Sequence, residues 1–244
     1  MLSTLLLFVS TMAMMLTLAF LTDKPVLSGV ITFITIITAY TLITVYLNKK
    51  RNGLLEDSCD PDAFLKATEK LLSKAGKKPK FKALIDINLA AGLIVKGDLT
   101  AARDLLDSID LSLLSLKNGT LFTFYLNRIT CAYLMGEMEL AEELFETKVP
   151  LLAPVSSKML LSTEMLIAER FFYTKKYNES QERLLKLLQR KTSRRLRVEI
   201  YFLLARIDEE LGNSSAAAEK YEKVAKYGGQ TAVALKARTI LQKA

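Results

Sequence analysis

The sequence predicts an all-α protein: a two-helix transmembrane hairpin followed by an α-solenoid of helical hairpins. Three observations predict it. Two stretches without a charged side chain open the chain, Met1 to Thr22 and Pro25 to Asn48. The rest is charge-rich, with apolar residues at helical rather than alternating spacing. That remainder also carries one pattern four times over.

Each apolar stretch exceeds the ~20 residues that a helix needs to cross a hydrocarbon layer of ~30 Å. Only Asp23 and Lys24 separate them, so they read as a hairpin of spans, about 1–22 and 26–48. The first has no basic residue ahead of its apolar run and no small-residue cleavage site after it, so it is expected to be retained. Lys49, Lys50 and Arg51 directly follow the second. Basic flanks stay on the cytoplasmic side, which predicts a two-pass protein of the cell (inner) membrane with both termini cytoplasmic. Thr32, Thr35, Thr38, Thr41 and Thr44 recur every third residue in the second stretch. Three residues turn a helix by about 300°, so these hydroxyls wind around it instead of lining a pore. Neither stretch holds an ionisable side chain apart from tyrosine, and charged groups are the usual mark of a transport path. The hairpin reads as an anchor.

Residues 49–59 are expected to form a juxtamembrane linker and 60–244 a cytoplasmic helical domain. In "CDPDAFLKATEKLLSK", Asp60 suits an N-cap and Pro61 the first helical position. "AGKKPKFK" then ends that helix. Four segments align behind it: "LAAGLIVKGDLTAARDLLDSI", "RITCAYLMGEMELAEELFETK", "IAERFFYTKKYNESQERLLKL" and "LARIDEELGNSSAAAEKYEKV". Each joins two helices through a turn at Gly97, Gly136, Lys175 or Gly212, spaced 39, 39 and 37 residues apart. A small residue follows five positions on: Ala102, Ala141, Ser180 and Ala217. A bulky one follows four later: Leu106, Phe145, Leu184 and Tyr221. Glycine ends the first helix at low steric cost, the small residue lets the second approach it, and the bulky one fills the seam. "QTAVALKARTILQKA" reads as a closing helix that covers the last pair and turns its other face to water.

This pattern resembles the tetratricopeptide repeat over about 82–226. The fourth unit matches best, through Ala205, Gly212, Ala217 and Tyr221; the third departs, with Lys175 for glycine and Ser180 for alanine. The resemblance implies a concave groove lined by the first helix of each unit. Its facing positions here would be Ile87, Ile94, Leu126, Tyr133, Met165, Phe172, Tyr173, Phe202 and Arg206, an apolar and aromatic surface suited to a protein or peptide partner. Where the family's clamp for a carboxylate tail would stand, this chain has Ile87, Ala91, Ser162 and Leu166, which does not support that mode of binding.

Chemistry has little footing. With no histidine, Ser-His-Asp and Cys-His arrangements are excluded. No phosphate loop of the G-x-x-x-x-G-K-[ST] type occurs. Cys59 and Cys131 make neither a disulfide framework nor a zinc site and read as reduced structural residues. Acidic pairs such as Glu142-Glu143 and Glu209-Glu210 read as solvated helix faces. No catalytic residue, metal or cofactor is expected. The net charge of +8 favours an anionic lipid surface, while nucleic acid and small-molecule substrates are not expected. Arg190, Lys191, Arg194, Arg195 and Arg197, between the third and fourth units, form a candidate anion contact. The resulting expectation is a membrane-anchored scaffold that binds a partner through its repeats. The alternative is an accessory subunit of a transport or secretion complex whose spans make the main contacts.

Overall fold

The computed structural model describes residues 10–13, 15–17, 19–21, 25–75, 78–152 and 156–243. Among them every regular element is helical and no strand occurs. By contact density the chain divides into residues 1–50 and 51–244.

The first unit holds a shorter apolar helix, α1 (Ser10–Leu21, with residues 14 and 18 outside the described set), and most of α2 (Pro25–Glu56). At ~1.5 Å per residue, the 32 residues of α2 extend ~48 Å, well beyond the ~30 Å hydrocarbon layer. Among the described residues it is the one helix long and apolar enough to cross a membrane. The expected first span falls partly outside the described residues, and α1 alone is shorter than a crossing requires. The hydroxyls of Thr35, Thr41 and Thr44 donate to the carbonyls of Ile31, Ile37 and Tyr40 at 2.9, 2.7 and 2.8 Å. Each is satisfied one turn back in its own helix, which is what a hydroxyl surrounded by hydrocarbon requires. Ser28 and Thr32, also one turn apart, are buried.

Residues 49–59 differ from the expected linker. The helix continues to Glu56, because Gly53 alone does not break it and Leu55 has a buried place to go. The chain then turns at Cys59, wholly buried with φ 53°, into α3 (Pro61–Ala75). Asp60 caps α3 as its sequence suggests, accepting from the Ala63 amide at 2.9 Å.

Four helix pairs follow: α4 (Pro79–Lys96) with α5 (Leu99–Asp107), α6 (Thr120–Met135) with α7 (Met138–Lys148), α8 (Ser157–Tyr173) with α9 (Tyr177–Leu188), and α10 (Arg194–Glu210) with α11 (Ser214–Tyr227). The four turn positions share one geometry. Gly97, Gly136, Lys175 and Gly212 have φ of 89°, 81°, 61° and 77°. At each, the next residue's amide reaches back five positions, Asp98 to Leu93, Glu137 to Ala132, Lys176 to Phe171 and Asn213 to Asp208, at 2.7–2.9 Å. These bonds satisfy carbonyls that a helix end leaves bare. Ala102, Ala141, Ser180 and Ala217 are all buried in the seam. Ser180 also donates its hydroxyl to the Ala168 carbonyl at 2.7 Å, so serine replaces alanine there without a stranded polar group. Leu106, Leu184 and Tyr221 are fully buried, and Phe145 packs beside Tyr133 and Leu166.

The first helices of successive pairs touch in order, α4 with α6, α6 with α8 and α8 with α10, and α10 then meets α12 (Ala232–Leu241). The closing helix does more than cover the last pair, because α12 returns to α4. A Cβ at Gly97 would lie 2.8 Å from that of Ala232. Beside this contact the Gln230 amide donates to the Cys59 carbonyl at 2.9 Å. The last helix therefore meets the first helix of the four pairs, and its lead-in meets the turn before α3.

The expected solvated acidic pairs are also partly structural. Glu142 accepts from the Tyr133 hydroxyl and from Arg170 at 2.6 Å, tying α6, α7 and α8 together. Glu209 accepts from Tyr221 at 2.6 Å. Their neighbours on the same helices left them looking like surface charge, since the partners lie on other helices.

Candidate functional site

The residues expected to line a groove are placed mostly in seams between helices. Ile87 packs with Ala83, Ala90, Leu106 and Phe124. Met165 and Phe172 sit with Leu184, Leu187 and Leu203. Phe202 meets the Tyr221 ring edge at 5.8 Å. Tyr133 is buried and stacks on Tyr173, centroids 4.8 Å apart. Ile94, Leu126, Tyr173 and Arg206 are half-buried, and the Arg206 guanidinium lies 4.4 Å over Phe172. They do not combine into one open apolar face, which differs from the groove that the resemblance implies. On the first helix of each pair the positions that pack against neighbouring helices and those left at the surface are neighbours on one broad apolar arc, and spacing alone does not separate them.

A cluster of charges joins the last turn of α2 to α8 and α10. Ser193 donates to Glu56 at 2.6 Å, and Arg195 reaches the same carboxylate at 3.3 and 3.4 Å. Arg195 also holds Glu199 with two bonds of 2.6 and 2.7 Å. The guanidinium is half-buried; burial weakens its charge, but Glu199 and Glu56 outweigh that and hold it protonated more firmly than usual. Glu169, on α8, faces the same cluster. Burial and the neighbouring Glu199 push its carboxyl up to about 8, against the opposing pull of Arg195 and a hydrogen bond to Thr130. Burial likewise raises Glu199, with Arg195 opposing. Sequence reasoning missed Glu56, Glu169 and Glu199. The available signal was a carboxylate set within the apolar stretches of α8 and α10, which alone does not say what it meets.

The predicted basic cluster separates. Arg190 pairs with Glu164, Arg195 turns inward to Glu56 and Glu199, and Lys191 stays exposed. Arg194 and Arg197 open onto a cleft of about 700 Å³ between α10 and α11, with Tyr201, Lys223, Lys226 and Tyr227 also on its walls. Lys49 and Lys50 are exposed on α2, and Arg51 donates to the Asn52 amide oxygen at 3.3 Å.

Cys59 and Cys131 are free and buried, and burial pushes both thiols above their ordinary range. Among the described residues no group of three or more His, Cys, Asp or Glu is arranged to hold a metal ion. The arrangement ties helices together at the charge cluster and offers cationic groups to solvent at the cleft. Comparison with protein-family models, with curated proteins and with solved structures finds no match for the chain.

Proposed function

We propose that this protein is a membrane-anchored adaptor whose tetratricopeptide-like helical repeats form a solenoid and hold a partner protein on the cytoplasmic side. The observation that carries the reading is the fourfold turn geometry at Gly97, Gly136, Lys175 and Gly212, each followed by a buried small residue. Stacked hairpins of this kind expose side chains along an extended surface, and such surfaces serve recognition. Helix α2 supports the anchoring half: its apolar length suits a bilayer, and its three back-bonded threonines suit contact with lipid. Burial of Ser28 and Thr32 on one face of α2 supports a second helix beside it, as in a two-span hairpin.

The partner surface is narrower than the nine residues read from sequence. Phe172 and Phe202 belong to the core, so placing glutamates there would unfold the array rather than probe it. Leu126, Tyr173 and Arg206 remain within a partner's reach. The test is crosslinking in cells from a photoreactive residue at Leu126, followed by mass spectrometry. Recovery of one dominant protein, lost in an Arg206→Glu chain of unchanged helicity, supports the adaptor. Recovery that instead survives Arg206→Glu and fails when the two N-terminal apolar stretches are exchanged for a foreign hairpin favours an accessory subunit of a transport or secretion complex. A periplasm-dependent reporter fused after Ala244 tests orientation, and activity there overturns the cytoplasmic placement.

A further inference from the structure

We infer that the cleft between α10 and α11 binds a phosphate-bearing anion. Its α10 wall carries Thr192, Arg194, Arg197 and Tyr201, and its α11 wall carries Lys223, Lys226 and Tyr227. At about 700 Å³ it falls within the size of ordinary small-ligand sites. Four cations face two carboxylates, Glu219 and Glu222, and Glu219 is already held by Lys223 at 2.7 Å. Within the described residues neither Arg194 nor Arg197 has an ion pair or hydrogen bond through its side chain, in a unit where Arg103, Arg128, Arg170, Arg190 and Arg195 are all paired with carboxylates. Two guanidiniums one turn apart on a cleft wall, both left open, suit the planar, two-pronged recognition of phosphate.

A second, separate observation lies on the same wall. Among the described residues, the Thr192 hydroxyl oxygen is buried and has no hydrogen-bond partner. Buried hydroxyls are normally satisfied, and this one stands beside the two open guanidiniums short of a partner. The aromatic rings fit the same chemistry. Lys223 lies 5.5 Å over Tyr201 and Lys226 5.2 Å over Tyr227, so both ammonium groups lie against rings of the cleft walls.

Thr192 and Arg194 flank Ser193, which donates to Glu56 in the last turn of α2. A phospholipid headgroup is one source of the phosphate and a soluble phosphate compound the other. The recognition chemistry is shared, and it does not depend on whether the repeats hold a protein partner.

The test uses the full chain. Thermal stability is compared in lipid discs of phosphatidylcholine alone and with added phosphatidylglycerol, and separately in detergent titrated with inorganic pyrophosphate. Arg194→Gln/Arg197→Gln changes only exposed side chains and is checked for unchanged helicity; Lys226→Gln is a second, independent variant. A rise in melting temperature with phosphatidylglycerol, weakened by salt and lost in both variants, supports the cleft with a lipid source. A rise with pyrophosphate in detergent, about tenfold less sensitive in the double variant, supports it with a soluble source. No rise in either arm, or a rise that the double variant retains in full, overturns the proposal.

Discussion

Lys175 is the one turn position of the four that is not glycine, and it still adopts φ 61°. A left-handed conformation costs a residue with a side chain about 1–2 kcal/mol. Glycine relieves that strain but adds about 0.5–1 kcal/mol of unfolded-state entropy. The strain term is larger, so Lys175→Gly should stabilise the fold by up to about 1 kcal/mol, or about 2–4 °C in a thermal melt. A lower melting temperature would mean that the lysine side chain contributes more than its backbone costs. Glu169 gives a second test at this scale. Its folded-state value of about 8 lies above the ordinary 4.5, so between these values the folded state keeps a proton that the unfolded state has lost. Stability from this group therefore falls as pH rises through that window. Glu169→Gln mimics the protonated form. Its melting temperature should nearly equal that of the unaltered chain at pH 5 and exceed it at pH 8, which differential scanning fluorimetry across that range measures.

Helices meet through contacts that join distant parts of the chain. Glu56, in the last turn of α2, is bound by Ser193 and Arg195, 137 and 139 residues away. Glu56→Ala leaves the Ser193 hydroxyl without its acceptor and Arg195 with Glu199 alone. The turn at Cys59 follows directly and its thiol is wholly buried. In a Cys131→Ala background, Glu56→Ala should make Cys59 react with a maleimide several times faster, because the foot of α2 opens more often. An unchanged rate would show that the charge cluster does not hold this segment.

For the repeat unit as a whole, closure alters how stability is shared. In an open stack each pair depends on its neighbours, and damage at one end stays at that end. Here α12 touches α4, and Gly229 lies against Cys59 with φ 55°; a Cβ there would sit 2.6 Å from the Cys59 carbonyl oxygen. Gly229→Val adds strain and a clash, together costing about 2 kcal/mol or more. Hydrogen exchange should then show α4 and α12 losing protection together while α8 keeps its own. Loss confined to α12 would mean the two ends are energetically independent.

The sequence by itself determined the local architecture. Turn residues and the Asp60 cap act over five residues or fewer, the small residues recur at a fixed step from each turn, and the apolar run of α2 is contiguous, so each leaves a pattern that can be read along the chain. It also singled out Arg194 and Arg197, although not the cleft they open onto. Only the tertiary structure decided that α2 runs on to Glu56, that Phe172 and Phe202 are core, and that the last helix meets α4. Glu56 with Arg195, and Cys59 with Gln230, pair residues more than a hundred positions apart. A contact at that distance has no period, so nothing in the chain's own pattern announces it before the helices pack.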